Sequence, residues 1–361
     1  MASNTFGNLF KITTWGESHG KAIGVVIDGC PAGLPIENED VNKELVLRAP
    51  GKSPYTTSRS EKDQAEILSG VFEGKTTGAP ISIIIYNRDA DSSKYEPIKH
   101  LMRPGHSNHT YLEKYGIFDY RGGGRASARE TACRVAAGAV AKKILAMKEI
   151  ACIAYLDQVG SIRSEIPTSS IDRNLILSSP LYCPDPEAEN QIIEAIEIAK
   201  IQGDSLGGGV AFIVKGVPVG LGDPVYEKID ANIAKAMMSI PATKGVEIGS
   251  GFSSIEMVGS EHNDQFRSVD GTIITETNYA GGSLGGISNG MFLEGRVAFK
   301  PTSSIMRSQK TVDEEGNEAV FNLPSGSRHD PCVSIRAVPV VEAMLALVLV
   351  DSLLMNKVVR W

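Results

Sequence analysis

The sequence lacks the excess of positive charge that nucleic-acid-binding proteins carry. Its 361 residues include 36 Lys and Arg against 43 Asp and Glu, which gives a net charge of -7. A protein that holds duplex phosphates is normally basic, so we expect no nucleic-acid partner. The N-terminal residues MASNTFGNLF contain no basic segment followed by an apolar core, which argues against a signal peptide.

Cysteine is scarce, and the longest apolar run contains charged residues. The five cysteines are scattered and none stands in a C-x-x-C spacing, which disfavours both a disulfide framework and a zinc site. The most apolar stretch, residues 337–355, carries Glu342 and Asp351. We therefore expect it to be a buried helix with no membrane partner. These absences together predict a protein of the reducing cytoplasm.

The chain also has no low-complexity linker and no strict alternation of strands and helices. We therefore predict a single domain over residues 1–361, with an α+β fold of mainly antiparallel sheets packed on helices. Capping residues and apolar periodicity predict helices over residues 128–149, 185–202, 226–239 and 339–356. β-Branched runs predict strands over residues 22–28, 81–86, 209–214, 272–275 and 291–299.

The usual nucleotide and metal motifs are missing. The segment Gly70–Thr76 resembles a P-loop but has three residues between its glycines, whereas the motif needs four. We find no G-x-G-x-x-G after a predicted strand and no His, Asp or Glu cluster with metal-ligand spacing. The sequence therefore predicts neither a Rossmann site nor a metal centre.

Glycine, in contrast, is abundant. The chain has 37 glycines, and eighteen of them lie between Gly203 and Gly295. Glycine is costly inside helices and strands, so the excess indicates backbone bends or a close approach to a flat or charged ligand.

The segment from Arg103 to Arg134 is locally basic, with six cations against three acids. Within it, a run of three glycines precedes Arg125 and Arg129, and Ser127 and Glu130 have the spacing of a helix capping box. Exposed backbone N–H groups at a helix start, together with guanidinium groups on one face, suit a phosphate or carboxylate. The alternative interpretation is a solvated helix face with ordinary salt bridges.

Two histidines and two short clusters could carry chemistry. His19 and His106 lie in turn-like segments beside glycine, and histidine moves protons near neutral pH. The segment 328–331 combines Arg, His, Asp and Pro, and the segment 300–304 offers a lysine and three hydroxyls. Each also has a structural interpretation: loop or core histidines, an Asx-Pro turn and a polar turn. The pattern alone does not identify a reaction.

These segments, taken in order, resemble the chorismate synthase family along essentially the whole chain. The matching motifs are Gly16-Glu17-Ser18-His19-Gly20, Arg103-Pro104-Gly105-His106, Asp119-Tyr120-Arg121-Gly122-Gly123-Gly124-Arg125, Ser127-Ala128-Arg129-Glu130, Lys244-Gly245-Val246-Glu247-Ile248-Gly249, Ala280-Gly281-Gly282, Gly285-Gly286-Ile287-Ser288, Lys300-Pro301-Thr302-Ser303-Ser304 and Arg328-His329-Asp330-Pro331-Cys332.

The resemblance implies a carbon–oxygen lyase that acts on a small-molecule substrate. It would convert 5-enolpyruvylshikimate 3-phosphate to chorismate by 1,4-anti elimination of phosphate, with reduced FMN as a required cofactor. It also implies a β-α-β sandwich with long helices between two mainly antiparallel sheets, assembled as a homotetramer. An NAD(P)H-dependent flavin oxidoreductase is the main alternative, and a non-catalytic anion-binding protein is another.

The resemblance also assigns roles to residues. Arg48, Arg103 and Arg129 match positions that bind the substrate anions. His19 would protonate or hydrogen-bond the departing phosphate, His106 would balance charge at reduced FMN, and Asp330 would relay the C6 proton through Ser18 and Ser127. The positions that match FMN contacts are Arg125, Ala126, Ser127, Pro241, Ala242, Gly285, Lys300, Pro301, Thr302, Ser303, Ser304 and Arg328.

One departure from the family pattern concerns the nicotinamide. Many relatives have an arginine, associated with anion or NADPH contact, where this chain has Pro54. NADPH therefore enters only as a candidate reductant of the flavin. Lys52 and Arg59 are the nearby cations that could replace the missing arginine.

Overall fold

The computed structural model describes residues 4–51, 53–56, 63–88, 92–324, 326–327 and 329–359. Its strands are β1 (Thr5–Phe6), β2 (Lys11–Gly16), β3 (Ala22–Asp28), β4 (Ala65–Ile67), β5 (Val71–Phe72), β6 (Lys75–Thr76), β7 (Ile81–Tyr86), β8 (Ala151–Val159), β9 (Ile162–Arg163), β10 (Gly208–Lys215), β11 (Thr243–Ile248), β12 (Phe266–Val269), β13 (Thr272–Thr275), β14 (Ser283–Leu284), β15 (Ile287–Ser288), β16 (Leu293–Phe299), β17 (Gln309–Val312) and β18 (Glu318–Phe321). Its α-helices are α1 (Asn38–Arg48), α2 (Asn108–Tyr115), α3 (Thr131–Ala146), α4 (Arg173–Ser178), α5 (Pro186–Ile201), α6 (Ile229–Met238), α7 (Gly259–His262) and α8 (Ser334–Asn356). Short 3₁₀ helices cover Ser93–Ile98, Gly124–Ala126, Ala128–Glu130, Thr168–Ser170 and Gly251–Glu256.

The first sheet is formed by the N-terminal strands in the order β1–β2–β3–β7–β4, and its pairings are antiparallel. Strands β3 and β7 have the bounds that the sequence predicts. In β7, Ile81, Ile83 and Ile85 are buried while the residues between them are partly accessible. This alternation directs one face of the sheet toward the core.

The second sheet has the order β11–β16–β10–β8–β9 and is also antiparallel. Strands β10 and β16 lie within two residues of the predicted bounds. Strand β8 is absent from the prediction. Its residues 152–157 are all buried, and a strand covered on both faces has no alternating pattern by which to recognise it.

Helices α3 and α8 lie between the two sheets. Helix α3 contacts β3 of the first sheet, α8 contacts β8 and β10 of the second, and the two helices pack on each other. Their close approach depends on Gly138, because a Cβ there would lie 2.5 Å from the Cβ of Ala343. The predicted sandwich, with helices between two antiparallel sheets, is confirmed.

All four predicted helices occur, but some begin at a different residue from the one predicted. Helix α5 begins as expected, since the Asp185 carboxylate accepts the backbone N–H groups of Glu187 and Ala188 at 3.0 and 3.2 Å. Helix α3 begins three residues later than predicted, because residues 128–130 form a 3₁₀ turn. Helix α8 begins at Ser334, so the predicted start at Pro339 is wrong: the helix accommodates this proline near its first turn.

Helix α8 is a core helix. Among the described residues it is the one helix long and apolar enough to span a membrane, but 83% of its most apolar window is buried inside the protein. Its charged residues are satisfied internally. Glu342 accepts hydrogen bonds from Lys142 Nζ at 2.7 Å, from Arg173 Nη1 at 3.0 Å and from the Ala154 N–H at 3.1 Å.

Candidate active site

A cleft of about 390 Å³ opens between the two sheets at the N-terminal ends of α3 and α8. Its walls are the turn at Arg103–Asn108, the glycine run before α3, the segment Lys300–Ser304 after β16 and the residues that lead into α8. A volume of this size is typical of small-molecule sites. The fold thus brings together residues as far apart in the sequence as Arg48 and Arg336.

The turn Arg103–His106 is fixed by its own sequence. Pro104 and Gly105 occupy its central positions, Gly105 has a φ of +70°, and the His106 N–H donates to the Arg103 carbonyl at 3.1 Å. Type II turns favour proline and glycine at these two positions. A Cβ on Gly105 would lie 2.5 Å from Ser303 Oγ, so glycine also lets the turn pack closely against the segment 300–304.

The glycine run before α3 has a left-handed backbone. Gly122, Gly123 and Gly124 have φ values of +67°, +97° and +54°, which residues with side chains rarely adopt. The predicted capping box is only half present. Ser127 Oγ accepts the Arg129 N–H at 3.3 Å, but the Glu130 carboxylate accepts from Thr14 Oγ1 and Arg134 Nε instead of the backbone.

Arg125 and Arg129 diverge, which corrects the expectation that they share one helix face. Arg125 donates to the backbone carbonyls of Thr14 and Gly16 on β2 at 3.1 and 3.0 Å. Ser127 between them is extended, so the four-residue spacing does not lie on a continuous helix. Arg125 therefore braces the glycine run against β2, and only Arg129 lines the cleft.

Arg48 and Arg129 share one buried carboxylate. Asp63 accepts from Arg48 Nη1 at 2.9 Å through one oxygen and from Arg129 Nη1 through the other. Burial would raise the pKa of Asp63, but the two guanidiniums outweigh it and lower the pKa below its ordinary value. Burial lowers the pKa of Arg48 to about 10, which still leaves it charged at neutral pH. Asp63 therefore holds two cations side by side.

Arg103 is held differently. It is 8% exposed, lies 5.5 Å from the centre of the Tyr95 ring, and donates through Nη2 to His106 Nε2 at 3.0 Å and to Ser304 Oγ at 3.4 Å. Among the described residues its Nε has no hydrogen-bond partner. Desolvation lowers the pKa of Arg103. A buried guanidinium with an unused N–H donor is suited to bind an anionic group of a ligand.

His106 is largely desolvated. Its Nδ1 lies 3.2 Å from the Pro104 carbonyl oxygen. Burial, together with the charge of Arg103, lowers the pKa of His106 to about 4. In this arrangement the imidazole is neutral at physiological pH. It can therefore act as a general acid only if its surroundings change.

His19 and Ser18 lie directly behind the cleft wall. The His19 ring packs edge-on against Tyr95, with centroids 5.2 Å apart, and its Nδ1 lies 3.0 Å from Ser92 Oγ. A Cβ on Gly122 would lie 2.2 Å from the His19 ring and 2.7 Å from Ser18 Oγ. Tyr95 and Gly122 line the cleft, whereas His19 and Ser18 are buried behind them and are not part of the lining.

Comparisons with known proteins agree with this geometry. A sequence model described as "Chorismate synthase" matches residues 10–354. A chorismate synthase from Protochlamydia amoebophila is 58% identical over 99% of both chains, and one from Methanococcoides burtonii is 54% identical over 98% of this chain and 96% of its own. A solved structure titled "Crystal Structure of Chorismate Synthase" superposes with a TM-score of 0.76 at 34% identity, over 97% of this chain and 93% of its own.

The chain belongs to the chorismate synthase family. This family uses reduced FMN, and several residues of the cleft fit an anionic flavin nucleotide. Lys300 Nζ donates to Ser303 Oγ at 2.8 Å and to the Gly105 carbonyl at 2.9 Å, and Thr302 Oγ1 is buried without a partner among the described residues. An ammonium group beside an unused hydroxyl forms a donor set that a phosphate can satisfy.

The structure brings most, but not all, of the predicted family positions into the cleft. Those that line it are Arg48, Arg103, His106, Ala126, Ser127, Arg129, Pro241, Ala242, Lys300, Pro301, Thr302, Ser303, Ser304 and Asp330. Gly285 lies on the exposed turn between β14 and β15 and is not part of the lining. Arg328 lies outside the described residues.

Sequence reasoning missed four residues of the site. Lys94, Tyr95 and Arg336 line the cleft, and Asp63 supports it from behind. Arg336 donates to Asp330 Oδ2 at 2.7 Å. The position of Arg336 at the start of an apolar helix could have marked it as a site residue, because a charged residue there needs a partner. Asp63, Lys94 and Tyr95 had no distinguishing local pattern.

Proposed function

We propose that this cleft converts 5-enolpyruvylshikimate 3-phosphate to chorismate and phosphate by 1,4-anti elimination. The observation that carries the proposal is the charge of the cleft. Six cations line it, against the single carboxylate of Asp330 among the described residues, and the cations are Arg48, Lys94, Arg103, Arg129, Lys300 and Arg336. With Asp63 behind them, the net charge is six minus two, or +4. This charge suits a substrate that carries two carboxylates and a phosphate, bound together with a cofactor that is also anionic.

The arginines would bind and orient the substrate anions. Asp63 holds Arg48 and Arg129 in fixed positions, so little side-chain entropy is lost when an anion meets them. Arg103 lies on another wall and has an unused donor. Contacts from different walls would fix the ring so that the phosphate and the C6 hydrogen lie in the positions required for elimination.

The proton-handling groups lie on or just behind the walls. His19 would hydrogen-bond or protonate the leaving phosphate, since its ring is held by Ser92 and Tyr95 behind Gly122. Asp330 lines the cleft with its carboxylate held by Arg336. The relay from Asp330 through Ser18 and Ser127 remains a prediction. Ser18 Oγ is buried with no hydrogen-bond partner among the described residues and is therefore available to join such a chain.

FMN would be held by the segment after β16 and by the backbone at Pro241–Ala242. The residues of that segment are Lys300, Thr302, Ser303 and Ser304. When bound, reduced FMN supplies electron density that assists cleavage of the C3–O bond. Ala242 has a left-handed φ of +70° and its carbonyl accepts the Lys300 N–H at 2.9 Å. This hydrogen bond fixes the two FMN-contact segments relative to each other.

One anaerobic assay tests the reaction. The protein is supplied with 5-enolpyruvylshikimate 3-phosphate and chemically reduced FMN, and phosphate and chorismate are measured. Both products without any nicotinamide would support the lyase. Oxidation of NADPH without phosphate release would support the flavin oxidoreductase, and neither signal would leave an anion-binding protein. Replacing the reductant by NADPH and oxidised FMN in a further arm tests whether NADPH reduces the flavin in this protein, which lacks an arginine at position 54.

Two variants test the role of His106. His106→Ala should slow turnover by roughly 10²-fold or more if the imidazole takes part in proton transfer. His100→Ala is the matched control, because His100 is exposed and pairs with Glu314 away from the cleft. Turnover of His106→Ala equal to that of the control would remove His106 from the mechanism.

We also propose that residues 1–361 form one domain and assemble as a homotetramer in the cytoplasm. Both sheets share α3 and α8, which supports one domain, and the five cysteines are buried thiols, which supports a reducing compartment. Phe252, Ile255, Phe266 and Ile273 are at least 65% exposed, and apolar surface of this kind is typical of interfaces. Light scattering should give four times the chain mass of 38.6 kDa, and Ile273→Asp should lower it.

A further inference from the structure

The hydrogen bonds around His106 define its protonation state. A guanidinium can only donate, so the bond from Arg103 Nη2 at 3.0 Å requires a lone pair on His106 Nε2. The Pro104 carbonyl can only accept, so the proton lies on Nδ1, 3.2 Å away. This assignment follows from the partners of the ring. His106 is therefore a neutral imidazole, and its Nε2 accepts the hydrogen bond from Arg103.

The other groups around His106 also oppose a positive charge on it. Lys300 and His329 act on the ring together with Arg103, and all three disfavour the imidazolium, as does burial. Ser304 Oγ, 3.1 Å from Nε2, is neutral and can donate or accept. Protonation of His106 therefore requires Nε2 to be released from Arg103 and the local positive charge to be neutralised.

Arg103 is the arginine of the cleft best suited to move. Arg48 and Arg129 are tied to Asp63, and Arg336 is tied to Asp330. Among the described residues, Arg103 has no carboxylate partner, and its side-chain bonds are to the neutral groups of His106 and Ser304. A ligand carboxylate or phosphate would give it an ion pair, with parallel hydrogen bonds from the guanidinium fork, which a neutral imidazole and hydroxyl cannot provide.

We propose that Arg103 keeps His106 neutral in the free enzyme and releases Nε2 when a substrate anion takes the guanidinium, so that anion binding and protonation of His106 are coupled. Arg103 is thus a positioning residue for His106 as well as an anion ligand. The coupling confines the acidic form of His106 to the loaded cleft. This inference rests on the proposed function only in that the substrate is the anion that binds.

The test measures the pKa of His106 directly. Histidine labelled with ¹³C at Cε1 is observed by NMR in the full-length protein, and the His106 signal is assigned from its loss in His106→Gln. The pH is varied with and without 5-enolpyruvylshikimate 3-phosphate, with no reductant present so that no turnover occurs. We expect a pKa near 4 in the free protein and a rise of about two units or more with substrate, toward or beyond the ordinary value of ~6.5.

Two variants distinguish the effect of Arg103 on the pKa of His106 from the effect of burial. Arg103→Met should raise the pKa of His106 in the free protein by at least about one unit, whereas Arg103→Lys, which keeps a cation and a donor, should leave it low. A free-state pKa near 6.5 in the wild type, or one that the substrate does not raise, would overturn the coupling even if neither variant folds. Equal values in Arg103→Met and the wild type would assign the low pKa to burial alone. Because this signal needs no turnover, it is independent of whether phosphate is released in the anaerobic assay.

Discussion

Replacing Gly122 by alanine tests whether the backbone before α3 positions His19. The added Cβ would lie 2.2 Å from His19 Cδ2 and 2.5 Å from Nε2, whereas real Cβ contacts essentially never fall below 3.0 Å. The ring must therefore retreat by about 0.8 Å, the difference between 3.0 and 2.2 Å. The ring also packs edge-on against Tyr95, and its Nδ1 lies 3.0 Å from Ser92 Oγ, so a shift of this size disturbs both contacts.

The cost divides into a backbone part and a positional part. Alanine at a φ of +67° is strained by roughly 1–2 kcal/mol, which lowers the free energy of unfolding. The positional part appears mainly in activity, because misplacing a reacting group by about 1 Å costs on the order of 10²-fold in rate. We expect Gly122→Ala to fold, to melt a few degrees lower and to lose about 10²-fold in kcat.

The matched control is Gly116→Ala. Gly116 has a nearly equal φ of +71° at the end of α2, and a Cβ there meets nothing within 4 Å. Both variants should melt at a lower temperature, Gly122→Ala by more because its Cβ also displaces the His19 ring, but only Gly122→Ala should lose activity in the anaerobic phosphate-release assay. If Gly122→Ala keeps the kcat of the control, then either His19 does not act in catalysis or its position is not set by this glycine.

The remaining predictions concern buried charges. Glu342→Gln should lower the free energy of unfolding by roughly 2 kcal/mol or more, because it removes a buried carboxylate from Lys142 and Arg173 and leaves them paired with Glu44 alone among the described residues. Glu314→Gln on an exposed ion pair should change it by less than about 0.5 kcal/mol. Urea unfolding of both variants checks this, and equal effects would contradict it. Asp63→Asn should destabilise the protein at pH 7, and the destabilisation should diminish progressively as the pH falls below ~4. The pKa of Asp63 is lowered in the folded state, so its contribution is present above the unfolded value of ~3.9 and is lost as the pH falls through the folded value. A difference between variant and wild type that stays constant from pH 7 to pH 3 would refute this assignment.

Local sequence was sufficient where neighbouring residues decide the conformation. The β-branched run Ile81–Tyr86 predicted β7 with its observed bounds, and Asp185 before Pro186 predicted the start of α5. The pattern failed for β8, which is buried on both faces and therefore shows no period. It also failed for the start of α8, where packing between the sheets outweighs the usual effect of Pro339.

The sequence by itself determined the family, the clusters of arginine, glycine and histidine, and the local turns that carry them. The tertiary structure decided which of these side chains meet. It turned Arg125 toward β2, joined Arg48 and Arg129 through Asp63, and set Arg103 against His106. The physical reason is that charge and proton affinity depend on burial and on distances of about 3 Å. Apart from the contact of Arg103 with His106 inside one turn, those distances arise between segments far apart in the chain, so no local pattern records them.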